Sequence, residues 1–306
     1  MRFFLLFLEQ FAKVLLPLLF AVASGWLLYR FYRVPSRPLS LAGMNFLAPA
    51  LLLGHIPYHL SHHIPLLFLV LFGTGGMLFG AYLVARVFFP SLSDDGRRGF
   101  VLGSALSNFG FFGLPLVRFV LPPPAEEIAF VLIAFLNIPT GIVSAWIAIP
   151  GASTRSILKE ILRIPFVWAV LLTLFFGFTG ITLPEPLVSA LRFCGEGSVP
   201  LMLMVLGIEL AQLSPSALLS KEVVVGTFLR LLLFPAFILI LGELLKLPPL
   251  STLTAVLQLA TPAGLTSLLY FTMFGRNTEV LTGILFFSTI LAFFILPLWI
   301  LFLGGA

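Results

Sequence analysis

Long apolar runs separated by short polar, mostly basic loops recur along the whole chain. A helix crossing a bilayer needs about 20 mostly apolar residues. By that measure the pattern predicts ten spans, at 7–29, 39–56, 65–89, 98–121, 126–149, 165–183, 187–210, 221–246, 250–274 and 279–303. The spans fall into two sets of five, and the fourth span of each set is interrupted by glycine and proline. The interruptions are Ser107-Asn108-Phe109-Gly110-Phe111-Phe112-Gly113-Leu114-Pro115 and Gln258-Leu259-Ala260-Thr261-Pro262-Ala263-Gly264. Such a break frees backbone N–H and C=O groups at membrane depth, tolerable only inside protein or beside a water-filled cavity. Matching breaks in two halves are the sequence mark of a secondary transporter's binding site.

Basic residues set the orientation. The loops after spans 1, 3, 5, 7 and 9 hold Arg30, Arg33, Arg37, Arg86, Arg97, Arg98, Arg155, Lys159, Arg163, Lys221 and Arg276. The opposite side holds only Arg2, Arg118 and Lys246. Positive loops stay in the cytoplasm, so both termini are expected outside the cell membrane. Five spans per set is an odd number, so the second set is inverted. The expected fold is therefore all-α and polytopic, with ten helices in two inverted repeats, 1–149 and 165–306. Broken helices 4 and 9 would cross near the midplane. Residues 150–164 form the cytoplasmic linker, and the apolar spacing at 157, 158, 161 and 162 predicts a short helix in the inner interface.

Prolines repeat with the spans: Pro17 with Pro165, Pro49 with Pro200, Pro115 with Pro262, and Pro139 with Pro297. Only the third helices differ, with Gly73, Gly75 and Gly76 against Pro235. The N-terminus imitates a signal peptide, but Glu9, Gln10 and Lys13 interrupt its core and cleavage would remove a span.

Composition agrees. Of 306 residues, 60% are hydrophobic and 9% charged, against about 25% charged in soluble domains. The net charge of +5 lies in loops, as a topology signal does, and does not indicate nucleic acid. Cys194 is the single cysteine, so no intrachain disulfide forms.

Thr261-Pro262 reads as a helix start, because threonine caps well and proline suits the first helical position. The amides of Ala263, Gly264 and Leu265 would then point inward, unpaired. Gly113-Leu114-Pro115 does the same in the first half, with Leu116 and Val117 supplying amides. Two such N-termini make an anion site, to which Asn108, Gly110, Thr261, Thr266 and Ser267 add room or neutral hydrogen-bonding groups. Alternatively, both prolines only kink packed helices.

The only aspartates, Asp94 and Asp95, lie in a cytoplasmic loop, so no ion-exchange site of intramembrane aspartates is available. Glu196, Glu209 and Arg230 are the main charges at depth, as coupling groups or as structural pairs, Glu196 with Arg192 or Arg230. Asn45 and Asn137 read as helix–helix hydrogen bonders. His55, His59, His62 and His63 share one external loop. The spacing of His55 and His59 permits a metal, but no Cys or Asp is near, and an ordinary interfacial loop is expected. No metal, cofactor or catalytic residue is predicted. An intramembrane enzyme would need a His, an Asp or a nucleophile–base pair at depth, and every His and Asp of this chain lies in loops.

These residues resemble the auxin efflux carrier family of plant auxin exporters and bacterial organic-acid permeases. The run Asn108 to Leu116 resembles the family's fourth-helix Asn-x4-Gly-(Leu/Ile)-Pro-Leu pattern. Ser198 to Gly207 resembles its seventh helix, Ala260 to Ala263 its ninth, and Ser288-Thr289 to Pro297-Leu298 its tenth. The resemblance implies a fold like the bile-acid symporters, with helices 1, 2, 6 and 7 as a scaffold that dimerises. Helices 3–5 and 8–10 would carry the crossing and move as an elevator. It also implies that Asn108 binds substrate and that Pro115 and Pro262 mark the crossing. The long central loop of many plant members is absent, and Glu196 stands where an uncharged residue is usual. The expected function is secondary transport of small organic anions, with a sodium-coupled symporter on the same fold as the alternative.

Overall fold

Four prolines each follow a widened helical turn. Proline lacks an N–H, and its ring collides with the carbonyl four residues back. A π turn, bonded i to i−5, moves that carbonyl away. In the computed structural model such turns occupy Phe11–Leu15, Gly43–Leu47, Phe109–Gly113 and Leu229–Leu233. Pro17, Pro49, Pro115 and Pro235 each lie two residues beyond. At one of them the displaced carbonyl finds a partner, since Trp299 Nε1 donates to Leu231 O at 2.8 Å.

The structure describes residues 9, 11–148, 159, 162–213, 219–273 and 275–304. The expected linker helix falls largely outside them. The described elements are all helical: α1 Leu16–Tyr32, α2 Ser36–Ala42, α3 Ala48–Gly54, α4 Ile64–Phe88, α5 Asp94–Ala105, α6 Leu114–Val120, α7 Pro124–Ala148, α8 Pro165–Thr179, α9 Glu185–Gly195, α10 Ser198–Ala211, α11 Lys221–Phe228, α12 Phe234–Leu244, α13 Pro249–Leu259, α14 Leu265–Met273 and α15 Glu279–Phe302. Among the described residues, six helical runs are long and apolar enough to cross a membrane: Ala12–Tyr32, Leu60–Phe88, Pro124–Ile147, Glu185–Ala211, Lys221–Leu244 and Glu279–Phe302. Phe109–Val120, Pro165–Thr179 and Pro249–Leu259 are shorter apolar helices. Phe20, Phe31, Phe79, Phe193 and Phe302 are exposed. An outer surface this apolar suits lipid, not water.

Glycines decide how closely helices approach. A Cβ on Gly25 of α1 would lie 1.9 Å from Met204 O of α10, and one on Gly207 of α10 would lie 1.9 Å from Val22 O of α1. The two backbones therefore touch at a reciprocal glycine contact, the small-residue packing that membrane helices use. Gly195 of α9 and Gly54 of α3 repeat the arrangement against Leu51 and Arg192. With α8 lying on α3, these contacts join α1, α2, α3, α8, α9 and α10 into one group. In the other group α5 packs on α4 and α15, α12 on α13, α11 on α15, and α7 on α4 and α13.

The α5 start shows why the fourth apolar run begins earlier than hydropathy suggests. Ser93 Oγ accepts from Gly96 N at 3.0 Å, and Asp94 and Asp95 occupy the first turn. That is a capped N-terminus with acidic residues against the positive dipole end.

Candidate functional site

Both interrupted spans break where expected, and the two breaks are hydrogen-bonded to each other. After α5 the chain extends through 106–108, and after α13 it extends through 261–264. Asn108 N donates to Pro262 O at 2.8 Å and Gly264 N to Leu106 O at 2.9 Å, forming an antiparallel bridge between Ser107 and Ala263. A Cβ on Gly264 would stand 3.1 Å from Ser107 O, so the lack of a side chain permits this closeness. Ala263 N donates to Ser288 Oγ at 3.0 Å.

These bonds correct the expected helix starts. Thr261 does not cap a helix beginning at Pro262. Its hydroxyl donates back to Gln258 O at 2.9 Å, and α14 starts at Leu265. The ladder with 106–108 and Ser288 takes the amides of Ala263 and Gly264, which are therefore not free. In the first half the helix starts at Phe109, not at Leu114. Asn108 holds the cap position, and its carbonyl accepts from Phe112 N and Gly113 N, both at 3.1 Å. Leu116 and Val117 lie inside α6, so their amides are not at a helix end. The π turn carries the helix through Gly113 and Pro115 without a break.

A cavity of about 100 Å³ opens at these corrected N-termini. That approaches the size of an engineered cavity of ~150 Å³ that accepts benzene. Asn108, Gly110, Thr266 and Ser267 line it, and Gly264 closes its rim. Gly113, Pro115, Leu116, Thr261, Pro262 and Ala263 are buried behind it and do not line it. Gly113 instead lets Gln258 approach, and Gln258 Nε2 donates to Ala129 O at 3.2 Å.

The opposite wall comes from α7 through Asn137, Thr140 and Ser144, and from Met44, Leu51 and Phe166 of the first helix group. Positions 137, 140 and 144 share one helix face by spacing. That pattern of polar residues within an apolar span was the signal for a second polar wall, one that reading Asn137 alone as a packing residue passes over. Asn137 Nδ2 donates to Ile133 O at 2.7 Å and Thr140 Oγ1 to Leu136 O at 2.6 Å, and Ser144 and Ser267 hydroxyls stand 3.4 Å apart. The Asn108 side chain has no hydrogen-bond partner among the described residues. Among the described residues, no acidic or basic side chain lines the cavity, and the polarity they give it rests on amides, hydroxyls and helix ends.

Charge gathers one aromatic ring away. Arg118 of α6 donates to both carboxylate oxygens of Glu196, at 2.8 and 3.0 Å, and also pairs with Glu126 at 2.7 Å. His55 Nε2 lies 3.2 Å from Glu196, its Nδ1 contacts Leu51 O at 3.0 Å, and its ring stacks on Phe130 at 4.5 Å. Phe130 lines the cavity. Glu196 therefore pairs with Arg118, not with Arg192 or Arg230. Arg192 is held by the end of α3, donating to Gly54 O at 2.7 Å, where Gly54 lets the Arg192 backbone of α9 come close. His55 and His59 do not form a pair, since His59 stacks with His62 instead. Glu209 is half-buried in α10 and makes no side-chain bond among the described residues.

Arg230 is fully buried. Its guanidinium donates to Ala105 O at 2.6 Å, Ser104 O at 3.3 Å and, closely, Leu259 O. These carbonyls end α5 and α13, the half-helices that lead into the crossing.

Residues 147–300 match the family described as membrane transport protein. The chain belongs to this family, the auxin efflux carriers. The carrier is 25% identical to an uncharacterized transporter of Methanocaldococcus jannaschii over 228 residues, 72% of each chain. It is 26% identical over 231 residues to an uncharacterized transporter of Methanothermobacter thermautotrophicus, again 72% of each. The carrier is a multi-pass membrane transporter. The matched region includes α13, α14 and Arg230, while Asn108 lies before it.

Proposed function

We propose that this carrier moves small organic anions, carboxylates above all, by alternating access of the elevator type. The observation that carries the reading is the cavity at two half-helix N-termini, with an unengaged Asn108 amide in its wall. The amides of Phe109, Gly110 and Phe111 in one helix, and of Leu265 and Thr266 in the other, come before the first helical acceptor, and the dipole end favours negative charge. Phe109, Phe111, Phe130 and Phe166 supply apolar lining for the organic part of the solute.

The packing supports the moving parts. The cavity lies between the group of α1, α2, α3, α8, α9 and α10, which we assign as a scaffold, and the group that holds the crossing. Sliding the second group past the first would carry the crossing with its solute. In this reading the chain is ten membrane helices in two inverted repeats, 1–149 and 165–306, and it dimerises through the scaffold in the cell membrane.

The test is uptake of labelled mono- and dicarboxylates into liposomes containing the purified carrier. Saturable uptake that competing carboxylates inhibit is expected. Saturable uptake of neutral or cationic solutes alone would refute the proposal.

A further inference from the structure

The crossing has two electrical ends. The N-termini of the later half-helices open on the cavity, while the C-termini of the earlier ones, α5 and α13, converge on Arg230. A helix C-terminus carries about half a negative elementary charge, so two together present about one. A single guanidinium neutralises them through Ser104, Ala105 and Leu259 carbonyls. No acid pairs with Arg230 among the described residues, and its Nε has no hydrogen-bond partner. A fully buried charge without a counter-ion is strongly unfavourable unless fixed dipoles replace its water. The half-helix ends supply those dipoles, so charge and carbonyls stabilise each other.

In transporters with discontinuous helices, half-helix C-termini and unwound carbonyls are where coupling cations bind. We infer that Arg230 is a tethered cation filling that place, so that this carrier's crossing needs no sodium or other metal cation to hold its carbonyls together. The inference rests on reading the chain as a carboxylate carrier and concerns how that transport is driven. Arg230 touches backbone carbonyls and not the cavity, so it is a positioning residue.

The first measurement uses the native protein in liposomes, driven by a carboxylate gradient, in sodium, potassium or choline salts. Uptake equal within about twofold is expected, far less than the roughly tenfold effect of one lost charge-assisted bond. Sodium-dependent uptake would overturn the inference, whereas no carboxylate uptake in any salt would instead refute the proposed function. The second measurement asks whether charge is what matters. Arg230→Ala should lose about tenfold or more of its uptake in choline and regain part of it with added guanidinium. Wild-type uptake by Arg230→Ala in choline would overturn the inference. Should that variant not fold, Arg230→Lys and Arg230→Gln separate charge from bulk. Uptake by the lysine form and not the glutamine form supports a cation, and equal uptake by both overturns it.

Discussion

Arg118 and Glu196 tie the crossing helix to the scaffold through a two-pronged ion pair, with both guanidinium ends on both carboxylate oxygens. Arg118 belongs to α6, directly downstream of the crossing, and Glu196 sits at the break between α9 and α10. If the crossing slides past the scaffold, this pair must open in each cycle. It is also partly wet, with side chains 24% and 46% exposed. A pair so exposed contributes little stability, about 1 kcal/mol or less. Glu196→Gln and Arg118→Gln should therefore shift the melting temperature only slightly, and a double-mutant cycle should show weak coupling. The rate of carboxylate uptake should change more than stability does, because the pair holds one end of the elevator's travel. Glu196 is a latch in this reading and not a proton carrier, so Glu196→Gln should keep the wild-type pH profile of uptake. Loss of that profile in a normally stable variant would make the carboxylate the coupling group.

The places of the breaks were legible in the sequence because proline and glycine interrupt apolar runs. The helix starts were not. Thr261-Pro262 has the residue types of a cap and first turn, yet the backbone of this break is claimed by a ladder with residues far earlier in the chain, Pro262 with Asn108 and Gly264 with Leu106. Leu114-Pro115 misled for a different reason, since a π turn absorbs the proline and keeps the helix continuous from Phe109. Neither device leaves a local sequence signal. Glu196's partner was likewise out of reach: Arg192 is near in sequence but spent on Gly54, and Arg118 arrives from another helix.

Asn108 should matter for binding and little for folding. Its backbone builds the crossing, through its N–H to Pro262 and its carbonyl to Phe112 and Gly113. Its side chain lines the cavity with no hydrogen-bond partner among the described residues. Asn108→Ala keeps the backbone bonds and should weaken carboxylate binding by about 1–3 kcal/mol, the cost of one buried polar partner. Thermal-shift titration of the detergent-purified protein gives both numbers at once. An unchanged affinity with a lowered melting temperature would make Asn108 structural.

Two glycines should separate packing from binding. Gly25→Ala places a methyl 1.9 Å from Met204 O, where only backbone movement relieves the clash, and overpacking of this kind costs about 1–3 kcal/mol. Gly110→Ala meets nothing within 4 Å, but its methyl enters the cavity wall. The first variant should melt lower and retain its carboxylate affinity. The second should melt normally and bind differently. A normal melting temperature for Gly25→Ala would show that α1 and α10 pack less closely than described.

The orientation rests on the division of basic residues, eleven on one side and three on the other. Two exposed serines in loops on opposite sides test it. Ser61 lies between α3 and α4 and Ser91 between α4 and α5, so a single crossing by α4 separates them. In a Cys194→Ser background, Ser61→Cys should react with an impermeant thiol reagent applied to intact cells, and Ser91→Cys should react only after permeabilisation. Because the two sites bracket one helix, they also control for each other: labelling of both from outside would mean that α4 does not span the membrane. The reverse pattern, with Ser91→Cys labelled and Ser61→Cys protected, would place the basic loops outside and turn the whole carrier over.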